Sequence, residues 1–189
     1  MIHVITAFTR KQNKELMINH LKDTGIKWTV LLNEDIKFPS WVEVIHMLPD
    51  PSGYDCYARF NQYFRRGFLE DETQYMFLND DDFVENNFWN KIPSDYDVIF
   101  VSMKRGDHTI YHGNSTLLAK EENIFCCNVG LEQYIVKGKI LKNHYFDMNS
   151  GADGLLAEKL VKYENKLFLP EVYVLFNYLE DGRWDSFKR

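Results

Sequence analysis

The chain has 189 residues, 45% of them hydrophobic and 15% aromatic, with 22 basic against 28 acidic side chains and a formal charge of −6. That length supports one globular domain with a substantial core and leaves little for a second. The acidic balance argues against a dominant nucleic-acid or anionic-membrane surface, because both need clustered Lys and Arg to displace counterions.

Three cysteines, Cys56 and the neighbours Cys126 and Cys127, cannot all pair, which reads as a reducing compartment rather than a disulfide framework. The opening "MIHVITAFTRKQ" has no basic leader and too short an apolar run for a signal peptide. No stretch approaches the ~18 apolar residues of a membrane span, so the expectation is a soluble cytoplasmic protein. "NST" at Asn114 matches a glycosylation acceptor, without meaning in a cytosolic chain.

Taken in order, "HVITAF" (3–8) reads as a buried strand. "RKQNKELMINHLKDTG" follows as a helix, with Leu16, Met17, His20 and Leu21 at helical spacing and Gly25 closing it. "KWTVLLN" (27–33) and "WVEVIHM" (41–47) read as two more strands. The run "YDCYARFNQYFRRGFL" (54–69) places Tyr57, Phe60, Phe64 and Phe68 on one helical face, the three phenylalanines as core, with Arg59 and Arg66 on another. Then come the strand "YMFL", three adjacent carboxylates, a short helix "FVENNFWNKI" ended by Pro93, and the strand "DVIFVS". "KRGDHTIYHGNST" (104–116) reads as a loop or edge hairpin, "EQYIVKGKIL" as a strand and turn, and "GADGLLAEKLVKYENK" as a helix carrying Leu155, Leu156, Leu160 and Val161. The tail "LFLPEVYVLFNYLEDGRWDSFKR" begins strand-like. Alternating elements with continuous apolar strands predict an α/β fold, a mostly parallel sheet covered by helices on both faces, which binds ligands at the carboxyl ends of its strands.

Asp80, Asp81 and Asp82 stand at such an end, and each raises the cost of ionising the others. A structural reading makes Asp82 a helix cap, since Glu85 follows at capping-box spacing, but leaves Asp80 and Asp81 unexplained. A functional reading gives them a shared divalent cation, whose charge reverses the repulsion. Carboxylate oxygens suit Mg²⁺ or Mn²⁺, which bind substrate phosphates at their remaining positions.

Apolar strand, Asp-Asp-Asp, aromatic resembles the Asp-x-Asp motif of GT-A (Rossmann-like) glycosyltransferases. The resemblance implies a nucleotide-sugar donor, UDP favoured, held through Mn²⁺ or Mg²⁺. On this chain it makes Asp82 the principal metal ligand, with Asp80 and Asp81 at the ribose or the metal and its water. "ITAFTR" resembles the family's nucleotide-binding opening and implicates Thr6, Ala7, Phe8 and Arg10. Asp35 in "LLNED" lies where the family often holds uracil or ribose. "YARFN" resembles the helix start facing the nucleotide and implicates Arg59, for which a solvated helix face is the alternative. The family's inverting members place a carboxylate base at the start of a later helix, and "NSGADGLLAEKL" offers Asp153, with Gly151 and Gly154 letting a sugar approach. Ser150 and Asp153 also have capping-box spacing. The resemblance implies one domain, its nucleotide-binding part about 1–103 and its acceptor part about 104–189, with a carbohydrate or other hydroxyl acceptor. The small size is similar to soluble enzymes encoded by large algal viruses, including the Chlorella viruses, or by bacteria.

The pattern departs in the tail, where many members add a metal-binding His. Here Asn177 or Asp181 would substitute. His108 and His112 have i, i+4 spacing, but "HTIYHG" is β-branched and reads as a loop. Arg183 and Trp184 read as a lid or as a docked terminus. Asp80-x-Asp82 also matches the nucleophile loop of haloacid-dehalogenase-like phosphatases, although that motif normally opens its domain. Nucleotidyltransferases usually carry a Gly-rich loop after the first strand, and "TAFTRKQN" has no Gly. A non-catalytic carbohydrate- or nucleotide-sugar-binding module would not require a base at Asp153.

Overall fold

The computed structural model describes residues 1–85, 87–105 and 116–176. His108, His112, Asn114, Asn177, Asp181, Arg183 and Trp184 lie outside the described residues. In chain order the strands are β1 (Ile2–Ala7), β2 (Lys27–Leu32), β3 (Glu43–His46), β4 (Gln74–Phe77), β5 (Phe83–Val84), β6 (Val98–Arg105), β7 (Thr116–Leu117), β8 (Tyr134–Lys137) and β9 (Lys166–Phe176). The α-helices are α1 (Lys14–Leu21), α2 (Asp55–Arg65), α3 (Gly138–Leu141) and α4 (Ala152–Leu160).

All the strands join one sheet in the order β3-β2-β1-β4-β8-β6-β9-β5, with β7 on β6. The expected α/β architecture holds: β1–β4, β6 and β9 run one way, and only β5, β7 and β8 run the other. The continuous apolar runs of β1, β2 and β4 are buried on both faces, as a covered parallel sheet demands. On one face Phe60, Tyr63 and Phe64 of α2 and Leu156 and Leu160 of α4 pack on Ile5, Phe77, Phe100 and Tyr134. On the other, Met17, Ile18 and Leu21 of α1 pack on Val4, Trp28, Val30 and Met76. Each such fully buried side chain contributes about 1.5–3 kcal/mol.

Three sequence expectations are corrected here. Leu16 faces solvent and Ile18 takes its place in the core, because α1 starts only at Lys14 after a 3-10 turn that rotates the helix face. Phe68 is 43% exposed, because α2 ends at Arg65 and Gly67, at φ 75°, turns the chain away. Among the described residues no α-helix lies between the triplet and β6: residues 83–84 form β5, and a 3-10 turn, Phe88–Lys91, follows. Asp82 therefore caps no helix.

Candidate functional site

Because β1, β2 and β4 are parallel neighbours, their carboxyl ends open along one edge of the sheet. Antiparallel β8 begins at that same edge. Met76 of β4 faces Ile135 of β8, and continuing this register sets Asn79 opposite Glu132. Beyond the triplet, Phe83 of β5 pairs with Leu175 at the end of β9. Residues 78–82 thus form a short bridge across the edge, and the strand pairing on both sides fixes where the three acids sit.

The triplet is buried: Asp80 is 1%, Asp81 2% and Asp82 0% exposed. Such charges need partners. Asp80 Oδ2 accepts hydrogen bonds from the backbone amides of Thr9 and Arg10, both at 2.5 Å, and from the Thr9 hydroxyl at 3.1 Å. Its Oδ1 accepts from the Arg10 guanidinium at 2.5 Å, whose second nitrogen lies 3.1 Å from Asp81. Asn13 donates to the Asp80 carbonyl at 2.9 Å, so the loop after β1 is tied to the end of β4 by side chain and backbone alike. Asp82 accepts from Asn79 Nδ2 at 2.9 Å, while its amide donates to the Asn79 carbonyl at 3.2 Å. One arginine and one asparagine thus compensate much of the like-charge repulsion.

The residues expected at the nucleotide divide by exposure. Thr6, Ala7 and Phe8 are buried at the end of β1, and the Thr6 hydroxyl accepts from Trp28 Nε1 at 3.1 Å. Arg10 stands at the rim, 37% exposed, and Asp35 is exposed in the loop after β2. Arg59 is 1% exposed, which corrects the solvated-face alternative. Its guanidinium donates to the carbonyls of Phe8 at 2.9 Å and Leu31 at 3.0 Å and pairs with Asp55 one turn earlier. Arg59 therefore shapes the ends of β1 and β2 from beneath.

A cleft of about 370 Å³ opens beside this edge, lined by Met103, Cys127, Val129, Gly130, Ser150, Asp153 and Phe176. Asp153 lies in the first turn of α4, and its Oδ1 accepts from the Gly154 amide at 2.8 Å. The cap of α4 is Gly151, so Ser150 stands one residue outside the cap position that its spacing with Asp153 suggested. The backbone of Asp153 is hydrogen-bonded to Tyr57 of α2. Burial, and then the charge of Asp153, push the Tyr57 phenol above its ordinary range. The two glycines serve packing: a Cβ on Gly154 would fall 2.8 Å from Cys126 Cα and from Cys127 N, and one on Gly151 would fall 2.8 Å from Cys126 Sγ. The close approach they permit is made by the protein itself. Cys126 and Cys127 are free thiols, their sulfurs 3.4 Å apart.

The sequence reading missed two buried residues where the chain enters β8. Glu132 is 1% exposed, its Oε2 lies 3.5 Å from Asn79 Nδ2, and its Oε1 has no hydrogen-bond partner among the described residues. The Tyr134 hydroxyl is likewise buried without one among those residues. Burial, then the charge of Asp82, push the Glu132 carboxyl well above the usual carboxylate range, and Asp153 and Asp81 add to the effect. The only signal in "VGLEQYIV" is an acid leading into an apolar strand, and nothing local says what lies opposite.

Among the described residues no three His, Cys, Asp or Glu side chains converge closely enough to hold a metal by themselves. Oxygen donors with an orphaned buried carboxyl oxygen at their back nevertheless suit Mg²⁺ or Mn²⁺, which often take only one or two carboxylates and complete their shell with phosphate and water. No described helix is long and apolar enough to cross a membrane.

No family model matches the chain, and no curated protein matches it. Solved structures do. A 4-diphosphocytidyl-2C-methyl-D-erythritol synthase superposes with a TM-score of 0.50 at 8% identity, covering 90% of this chain and 88% of its own. HddC from Yersinia pseudotuberculosis, complexed with GMP-PN, gives 0.50 at 16% identity over 99% and 98% of the two chains. The inositol-1-phosphate CTP transferase from T. maritima gives 0.50 at 10% identity over 92% and 87%. None of the three is a glycosyltransferase by name. At these identities the likeness is one of fold alone, a Rossmann-like α/β fold.

Proposed function

We propose that this chain is a transferase acting on a nucleotide-diphosphate sugar, moving the sugar to a hydroxyl acceptor with inversion. The observation that carries the reading is Asp153, a half-buried carboxylate lining a 370 Å³ cleft beside the edge that holds the acidic triplet. A base in that position takes the proton of an acceptor hydroxyl as the hydroxyl attacks the anomeric carbon. On this reading Arg10, Asp35 and Asp81 bind the nucleotide, near the strand end formed by Thr6, Ala7 and Phe8. Asp80 and Arg59 hold the loop that receives it. Mn²⁺ or Mg²⁺, held by Asp82, would neutralise charge on the departing diphosphate. UDP is the favoured nucleotide and a glycan the favoured acceptor.

Nucleotidyl transfer is the second reading, favoured by the CTP transferase and the cytidyl-named synthase among the structural neighbours. Against it, the amides of Thr9 and Arg10, which a phosphate-cradling loop would offer to a triphosphate, point at Asp80. For the phosphatase alternative, the Asp-x-Asp follows β4 instead of the opening strand.

The test is thermal unfolding with UDP, GDP, dTDP and CTP, each with and without Mn²⁺, on wild type, Asp82→Asn and Asp153→Asn. A ligand specific to the folded state raises stability with the logarithm of its saturation. The expected result is stabilisation by one nucleoside diphosphate that needs Mn²⁺, disappears in Asp82→Asn and survives in Asp153→Asn. With the sugar nucleotide so identified, Asp153→Asn should lower turnover by about 10²–10⁴-fold. Stabilisation by CTP alone would replace this reading with the second. Retention of anomeric configuration by NMR would remove Asp153 as the base.

A further inference from the structure

Burying a carboxyl group with an unpartnered oxygen opposes folding, so a chain that keeps one gains something other than stability from it. Glu132 is such a group. The turn that carries it is pinned from both sides: Gln133 Oε1 accepts from the Gly130 amide at 3.0 Å, and Gln133 Nε2 donates to the Val101 carbonyl at 3.3 Å. A Cβ on Gly130 would collide with the Glu132 carboxyl, so only glycine leaves room for the acid to turn inward. The β4–β8 register then sets the carboxyl opposite Asn79. The Asn79 amide nitrogen has two hydrogens, with Asp82 Oδ2 at 2.9 Å and Glu132 Oε2 at 3.5 Å as its acceptors.

We propose that Glu132 is a positioning residue which, through the Asn79 amide, fixes the carboxylate of Asp82 for cation-dependent nucleotide binding. The inference rests on the proposed function and adds to it a support that lies 50 residues from the triplet in the chain. A bridging amide has one orientation when both its hydrogens are claimed, and it rotates once the second acceptor is removed. Partners one step behind a metal ligand typically change metal affinity by about 10–100-fold when lost.

The experiment compares wild type with Glu132→Met and Glu132→Gln. Met matches the shape of Glu without an acceptor, whereas Gln keeps an oxygen for Asn79. Melting temperature without ligand, and UDP affinity by calorimetry at saturating and at zero Mn²⁺, are read for each. Glu132→Met should melt higher than wild type, because an unpartnered buried acid is gone, yet bind UDP with Mn²⁺ about 10–100-fold more weakly. Glu132→Gln should bind within a few-fold of wild type. A purely structural acid gives the opposite pattern, lower melting and unchanged affinity. That result, or a Glu132→Met chain that fails to fold, overturns the inference. So does Glu132→Met binding like wild type, which leaves the proposed function standing. Absence of Mn²⁺-dependent binding of UDP or any other nucleotide in wild type sinks both.

Discussion

Asp80→Asn tests whether the triplet is held by compensation or merely endured. The carboxylate gathers four donors, two of them backbone amides at 2.5 Å, onto a group that is 1% exposed. Asparagine can still offer one carbonyl oxygen to Thr9 and Arg10. Each of those bonds then falls from the charge-assisted range of about 1.5–3 kcal/mol to the neutral range of about 0.5–1.5, a loss of about 1 kcal/mol apiece. The new Nδ2 would face the Arg10 guanidinium, donor against donor. Because Arg10 is 37% exposed and keeps Asp81, that lost pair is discounted to about 1 kcal/mol. The three bonds and the pair sum to about 4 kcal/mol, relief of carboxylate repulsion returns on the order of 1 kcal/mol, and the net expectation is a destabilisation of about 3 kcal/mol. Urea denaturation with a slope of roughly 2–3 kcal/mol/M reads this as a midpoint lower by about 1 M. A variant within about 0.5 kcal/mol of wild type, or more stable, would show that repulsion among the acids outweighs their partners and would refute the compensation argument.

Two further outcomes follow from the same geometry. His3 Nε2 meets the Thr29 hydroxyl at 2.6 Å, and that hydroxyl donates to Glu43, so the neutral ring donates to Thr29. Burial chiefly, then Lys27, lower the His3 pKa to about 4. A folded pKa below the unfolded 6.5 means that stability from neutral His3 is complete above pH 6.5 and is lost as pH falls toward 4, by about 3 kcal/mol in total. His20, also lowered to about 4 by burial, adds loss in the same window, so His3→Gln should flatten the pH dependence of the urea midpoint without abolishing it. Identical pH slopes for the two proteins would discard the role given to His3. Gly154→Ala places a methyl 2.8 Å from the Cys126–Cys127 backbone and should cost about 1–3 kcal/mol by overpacking, with a lowered melting temperature. An unchanged melting temperature would mean that the segment before β8 yields readily.

The sequence alone carried the alternation of apolar strands and helices, hence the α/β sheet, because buried parallel strands must be apolar on both faces and periodicity is local. "YMFLNDDD" likewise announced a strand end loaded with acid, since three adjacent carboxylates are visible without any fold. What lay outside local pattern was the set of partners. That Arg10 meets Asp80 across 70 residues, or that Arg59 turns inward to the Phe8 and Leu31 carbonyls, depends on parallel strands bringing three loops to one edge. A helix after the triplet was expected from "FVENNFWNKI", but pairing with β9 draws residues 83–84 into the sheet, and a tertiary ladder overrides local propensity. Glu132 shows the limit most plainly. Its neighbours in the chain are apolar or amide residues that suggest nothing, and only the antiparallel insertion of β8 beside β4 sets its carboxyl against Asn79, because register is a property of two strands and not of one.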